Sequence, residues 1–488
     1  MFDKLKQLTK DTAIYGISTM LSRFLTFLLT PVYTKVFIPE AYGVMANIYA
    51  FIGLMTIIYI YGMDSAYIRF ASTNELGDKK DNFSTPFFSV VGTSILLSLI
   101  LFVFSGSINA VFSIPGEYYY LLYYAILILM LDSLAAIPFI TLRLERKAKT
   151  FALYKTLNIL LNVALNLFLI FKLKWGIEAA FFSNFAASLL SLILLIPLII
   201  KNLKFSFHFS LFKRLLKFGL PYFPAGMAVM LVQLIDRPIM ESLTNYTTVG
   251  IYQANHKLGI IMMLFVNMFQ YAWQPFFMQE SKEENAKQMF SKVLTYFTLA
   301  GSIILIVLSL FISDLVKIEI FGIHIIGPAY WSGLYVVPVV LFGYLFNGMY
   351  VVFTAGIYIK EKSMYVPLIT GIGAAVSIAS NFILIPAIGM IGAAYAALFS
   401  YLSMAGGYYI VTQKFYKIEY ENARIIKIFA SILVVGSIYY ALLFNNNLLF
   451  IYKVMLLFLF CILIYLFAVD KDEINSIKRR LFKTNTGV

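Results

Sequence analysis

Three basic side chains of this chain fall inside long apolar runs: Arg23, Arg237 and Lys257. A charge at the centre of a bilayer costs at least ~2.5–3.5 kcal/mol, so such residues face a cavity or a partner and mark function. Around Arg23, at about 100° per residue, Tyr15, Ser18, Thr19, Ser22, Thr26 and Thr30 fall within an arc of about 140°. Around Lys257, the residues Gln253, His256, Asn267, Gln270 and Gln274 span about 100°, which Lys257 widens to about 140°. Two polar stripes of this kind predict two helices facing each other across water. Hydroxyl and amide stripes also glue helices together, so the expectation rests on Arg23 and Lys257. Arg237 directly follows Asp236, and a local ion pair or interfacial anchoring competes there with a cavity role; His256 can titrate, pair or simply hydrogen-bond. Three carboxylates are candidates for ion coupling. Asp64 equally suits a helix end beside Arg69, Asp132 suits a proton or sodium site or a structural hydrogen bond, and Asp236 is the third.

The elements that must position these groups follow from composition. Of 488 residues, 61% are hydrophobic and only 13% charged, too little polar side chain to coat a water-facing surface. Fourteen runs of about 20 apolar residues, the length of a membrane-spanning helix, lie between residues 12 and 469. Those that carry the stripes cover 12–34 and 249–275, and their neighbours cover 41–63 and 217–240. With the N-terminus inside, 30 of the 38 Lys and Arg residues fall on inner flanks and five on outer ones, leaving the three buried bases. That alternation predicts both termini in the cytoplasm, and it explains the net charge of +14 through topology and anionic lipid rather than nucleic acid. The first run follows a basic segment as a signal peptide would, but its length and its arginine predict a retained span.

Halves of the chain echo each other. NLFLIFKLKWGIEAA from Asn166 resembles NFILIPAIGMIGAA from Asn381, Glu145 matches Glu361, and YG at 42–43 echoes VG at 249–250, at offsets of 207 to 216. The expected architecture is all-α and polytopic: two pseudo-symmetric six-helix lobes around a central cavity, plus two C-terminal helices. The lobes are expected at 1–200 and 217–412, joined by a basic amphipathic linker at 201–216, followed by the last two spans at 413–470 and a tail at 471–488. A single cysteine, Cys461, and three scattered histidines exclude a disulfide framework and make a metal cluster improbable. There is no GxxxxGK[ST] loop, no soluble domain, and the longest outer loop, 314–331, is short and apolar. These absences predict a carrier rather than an enzyme, with no cofactor.

The opening DTAIYGISTMLSRFLTFLLTPVYTKVFIPEAYGVMANIYAF resembles bacterial lipid-linked oligosaccharide flippases, the O-antigen and capsule branch of the multidrug/oligosaccharidyl-lipid/polysaccharide exporter superfamily. Supporting stretches are PFITLRLER at 138–146, Asn162 and Asn166 before WGIEAA, VGIYQANHKLG at 249–259 and GMIGAAYA at 389–396. The resemblance implies a rocker-switch carrier in the bacterial inner membrane. It would carry an undecaprenyl diphosphate-linked oligosaccharide, with diphosphate and sugars in the cavity and the prenyl tail in lipid. Arg23 and Lys257 would meet the diphosphate, and Arg237, Ser22, Thr26, His256, Asn267, Gln270 and Gln274 would help line the substrate site. Implied partners are membrane lipids, a polysaccharide polymerase and a chain-length regulator. The alternatives are a lipid II flippase, a cation-coupled multidrug exporter, for which buried bases are the wrong charge, and a membrane glycan polymerase.

Overall fold

Backbone amides in an apolar slab find no water, so each span must satisfy them within its own helix. The computed structural model describes residues 24–73, 78–445 and 447–468. Arg23, Ser22 and the stripe residues before them lie outside the described residues. The helices are α1 (Phe24–Val36), α2 (Pro39–Ile60), α3 (Met63–Thr73), α4 (Lys79–Val103), α5 (Ser105–Phe112), α6 (Leu121–Leu144), α7 (Ala148–Leu167) and α8 (Glu178–Asn202). There follow α9 (Phe209–Gly219), α10 (Tyr222–Leu234), α11 (Asp236–Leu243), α12 (Tyr246–His256), α13 (Ile260–Glu280) and α14 (Ala286–Leu315). After a short hairpin of β1 (Glu319–Ile320) and β2 (Ile323–His324) come α15 (Val337–Ile359), α16 (Tyr365–Ile388), α17 (Met390–Phe415), α18 (Asn422–Phe444) and α19 (Phe450–Phe467).

Among the described residues, twelve helices are long and apolar enough to cross a membrane. The remaining two expected spans are shorter pieces. The described part of the first is α1, and the seventh is broken: α10 meets α9 at 45° and gives way to α11 at Ile235. The amphipathic linker helix therefore runs on to Gly219, and the seventh span starts at Tyr222 rather than at 217. Its extended lead-in is fastened to α4. Asp81 Oδ1 accepts from Ser206 Oγ at 2.7 Å and meets Lys204 Nζ at 2.9 Å and His208 Nε2 at 3.0 Å. The hydrogen bond to Asp81 holds the Lys204 ammonium above its usual pKa.

Two packing groups follow the chain order. In the first lobe α6 packs on α2, α4 and α8, and α7 lies on α8; in the second α17 packs on α15 and α16, and α15 packs on α13 and α14. The repeat is visible atom by atom. Asn166 and Asn381 are fully buried and both donate back one turn, to Asn162 O at 2.9 Å and Ser377 O at 2.8 Å. The turns that end α6 and α15 match as well: Lys147 N donates to Leu142 O and Lys362 N to Ile357 O, with Arg146 and Glu361 both at φ 54°. That register makes Arg146, not Glu145, the counterpart of Glu361.

The last two helices, α18 and α19, pack on α14 and are pinned at both ends. Lys453 Nζ meets Asp314 Oδ2 at 2.5 Å and donates to Ser313 Oγ at 2.8 Å, while Glu421 accepts from Thr295 and Arg424.

Candidate functional site

The two lobes meet along a seam at the end of the molecule that is poor in lysine and arginine, and the seam is built on small residues. Helices α2 and α12 cross at Gly43 and Gly250, the two glycines of the YG and VG echo. A Cβ on Gly43 would stand 1.9 Å from Tyr246 O, and one on Gly250 would stand 1.8 Å from Pro39 O. Backbone lies on backbone, a contact that only glycine allows. The segment after α14 adds the rest. Gly327 N donates to Thr34 Oγ1 at 3.0 Å, Tyr330 Oη to Phe37 O at 2.8 Å, and Lys35 Nζ to Gly322 O at 2.7 Å. Tyr330 in turn packs its ring edge-on against Tyr42, 5.7 Å between centroids, and its carbonyl accepts from Asn255 Nδ2 at 2.8 Å. The apolar 314–331 loop, from which the sequence predicts no chemistry, thus adds three hydrogen bonds to the closure.

Beneath this seam, Lys257 Nζ lies 5.4 Å from the Tyr42 ring centroid, a cation–π contact. It is half-buried, and among the described residues no carboxylate lies within ion-pair distance of it. Tyr42 is fully buried, and its hydroxyl has no hydrogen-bond partner among the described residues.

The stripe on the eighth span does not stay continuous. Lys257–Gly259 form one 3₁₀ turn between α12 and α13. At 3.0 rather than 3.6 residues per turn, three residues rotate the following helix by about 60° relative to an unbroken α-helix. Ahead of the turn, Gln253 and His256 point into the second lobe. Gln253 Oε1 accepts from Arg237 Nε at 2.8 Å, and His256 lies between the rings of Tyr252 and Tyr344, at 5.6 and 6.0 Å. Asn267 is half-buried and Gln270 and Gln274 are exposed, on a helix whose partners α14 and α15 belong to its own lobe. On the facing side Thr26 is exposed and Thr30 buried, with no bond to its Oγ1 among the described residues.

Arg237 and Asp236 are 9% and 6% exposed, and Arg237 Nε stands 4.0 Å from Asp236 Oδ1. This pair is a lobe-internal feature rather than part of the inter-lobe space. Asp64 occupies the first turn of α3, where a carboxylate complements the helix dipole. Asp132 faces Ser188 of α8 and lies within electrostatic reach of Lys155 and Tyr49. Lys155 was missed by counting loops: it is assigned to a basic flank, but its ammonium is 4.1 Å above the Phe139 ring, alongside α6. Its position eight residues into α7, in the stretch FALYKTLNILL, was the available signal. Among the described residues no cluster of three or more His, Cys, Asp or Glu side chains could hold a metal.

A family model described as "Polysaccharide biosynthesis protein" matches residues 8–281, more than half of the chain. No curated protein sequence matches it. Among solved structures, the fold resembles a lipid II flippase, MurJ, in an inward closed conformation, with a TM-score of 0.72 and 17% identity over 92% of this chain and 98% of that one. It also resembles an inward-facing multidrug resistance MATE transporter of the MOP superfamily, TM-score 0.65 and 13% identity over 80% and 94% of the two chains. A third is a MOP superfamily transporter from Pyrococcus furiosus with a binding pocket of reversed polarity, TM-score 0.55 and 14% identity over 83% and 95%. With its helices arranged as in these transporters and the family model spanning the seam helices α2 and α12 and Lys257, the chain is a multi-pass membrane protein that belongs to the polysaccharide biosynthesis protein family.

Proposed function

We propose that the protein flips an undecaprenyl diphosphate-linked oligosaccharide from the inner to the outer leaflet of the bacterial inner membrane by alternating access, for surface polysaccharide synthesis. The observation that carries this reading is Lys257, a cation within a span, without a carboxylate partner among the described residues, directly below the inter-lobe seam. A lone ammonium there offers a point charge to a diphosphate, and beside it Tyr42 keeps a hydroxyl without a hydrogen-bond partner among the described residues. Arg23, outside the described residues, is the second proposed phosphate contact. A carrier of organic cations would meet the wrong charge. With the basic end in the cytoplasm, the sealed end is the outer one, and the lobes must part at Gly43 and Gly250 to release the glycan outward.

The test is reconstitution of the purified protein in vesicles holding a fluorescent lipid diphosphate-linked oligosaccharide in one leaflet, with leaflet exchange read by quenching. Exchange that Lys257→Met abolishes and Lys257→Arg restores in part is expected. Equal exchange by wild type and Lys257→Met would refute the assignment of Lys257, and no exchange by wild type with any lipid-linked glycan would refute the function.

A further inference from the structure

The register that aligns the two lobes sets the turn after α6, residues 145–147, on the turn after α15, residues 360–362. In the first lobe that turn neutralises itself: Glu145 meets Lys147 at 2.7 Å and Lys79 at 2.6 Å. In the second lobe the place of Glu145 is held by Lys360, so a base stands where the carboxylate was. Glu361 lies between Lys360 and Lys362 in the chain, in the place of Arg146, and pairs with neither. The ammoniums rest on aromatic rings instead. Lys362 Nζ and Lys414 Nζ share the Phe415 ring, 5.3 and 5.6 Å from its centroid, and Lys360 Nζ and Lys287 Nζ share the adjoining Tyr416 ring at 5.8 and 5.2 Å. All four lysines are exposed, and among the described residues none has a carboxylate within ion-pair distance. Cation–π contacts hold each ammonium but leave its charge uncancelled and gather like charges, a repulsion that a bound anion relieves.

The surroundings suit a lipid rather than a free anion. Lys287 opens α14, Lys360 follows the end of α15 and Lys414 lies in the last turn of α17, so the bases converge from three spans at one end of the lobe. The turn after α15 leads straight into an exposed alkyl row of α16: Met364, Leu368 and Ile372, four residues apart, are 85%, 59% and 50% exposed. A row of bases heading an apolar row on a membrane-spanning helix matches a headgroup heading its acyl chain. We infer that Lys287, Lys360, Lys362 and Lys414 form a headgroup site for an anionic phospholipid of the inner leaflet. Its phosphodiester supplies to the second lobe the negative charge that Glu145 supplies to the first. The leaflet follows from the orientation with the basic end in the cytoplasm; the site does not depend on what the protein transports.

The test uses the purified full-length protein in neutral detergent, without any glycan, so it stands apart from the flippase reading. Phosphatidylglycerol, phosphatidylcholine or inorganic phosphate is titrated in, with bound lipid read by native mass spectrometry and stability by Tm. Wild type is expected to bind phosphatidylglycerol saturably with a rise in Tm, and to show neither with the other two. Lys360→Gln/Lys362→Gln/Lys414→Gln is expected to hold its tightest phosphatidylglycerol about tenfold more weakly. Lys80→Gln/Lys149→Gln/Lys201→Gln, which removes equal charge from exposed flanks of the first lobe, is expected to bind as wild type does. Lys360→Glu restores the first-lobe pattern and is expected to raise Tm without lipid while losing the lipid-induced rise. Equal affinities of the two triple variants, both retained or both weakened, would overturn the site. Phosphatidylcholine binding as tightly, or inorganic phosphate giving the same Tm rise, would overturn the anionic lipid as its occupant. Lys360→Glu no more stable than wild type without lipid would overturn the uncancelled charge on which the site rests.

Discussion

Replacing Gly250 by alanine places a methyl group where Pro39 O now stands 1.8 Å away, with Gly43 N at 3.0 Å. Real Cβ contacts essentially never fall below 3.0 Å, so α2 and α12 must separate by about 1.2 Å at the least. Both neighbours are main chain, so no side chain can rotate out of the way. Overpacking of this kind costs about 1–3 kcal/mol, and here the cost falls only on the sealed state, because the seam is where the lobes touch. The sealed-to-open ratio should therefore drop by roughly 5- to 150-fold. Alanine also favours the helix over glycine by about 1 kcal/mol, so general unfolding is not the expected result. The assay is pulsed electron spin resonance with labels at Ile38 and Phe321, both exposed at that end, in a Cys461→Ser background. Wild type should give one short distance, and Gly250→Ala and Gly43→Ala should each add a longer population. Unchanged distances in both variants would refute the claim that this crossing holds the lobes together.

Tyr330→Phe keeps the ring against Tyr42 but deletes the bond to Phe37 O; it should weaken the same seam by about 1 kcal/mol, visible as a several-fold rise in the longer spin-label population. Asp314→Asn removes the counter-charge of Lys453, 5% exposed, leaving only neutral acceptors, and should lower Tm measurably, whereas Lys453→Met should be tolerated because it removes the buried charge itself. Asp314 is 43% exposed, so the loss stays below the ~3–5 kcal/mol of a fully buried pair. The turn after α6 should loosen at low pH. Burial raises the pKa of Glu145, but bonds from Lys147 and Lys79 outweigh it and pull the carboxyl below its ordinary 4.5. Its stabilisation is thus fully present above 4.5 and lost as pH falls through the lowered value, so hydrogen exchange at 145–147 should rise only below 4.5 and match between about pH 5.5 and 7.

Legibility of the chain divides along a physical line. Apolar run length and the lysine and arginine bias placed the spans, because insertion into a bilayer depends on composition averaged over some 20 residues and hardly on neighbours. The repeat was legible for a related reason: Asn166 and Asn381 each donate back one turn within their own helices, although Asn166 Oδ1 also accepts from Tyr33 Oη at 2.7 Å, a partner no local pattern announces. Helical periodicity also identified Lys257. It could not follow the stripe past that residue, since a single 3₁₀ turn resets the phase and its cause lies in packing.

The sequence by itself determined that this is an all-helical, multi-pass membrane protein whose halves echo each other and whose apolar runs contain basic residues. The tertiary structure alone decided which groups are partners. It brought Gly43 onto Gly250, some two hundred residues apart, sent His256 and Arg237 into the second lobe, set Lys155 over the Phe139 ring and left Lys257 beneath the seam. A helix pattern states which face is polar; what that face meets depends on the crossing of another helix, and here two glycines fix that crossing by allowing backbones to touch.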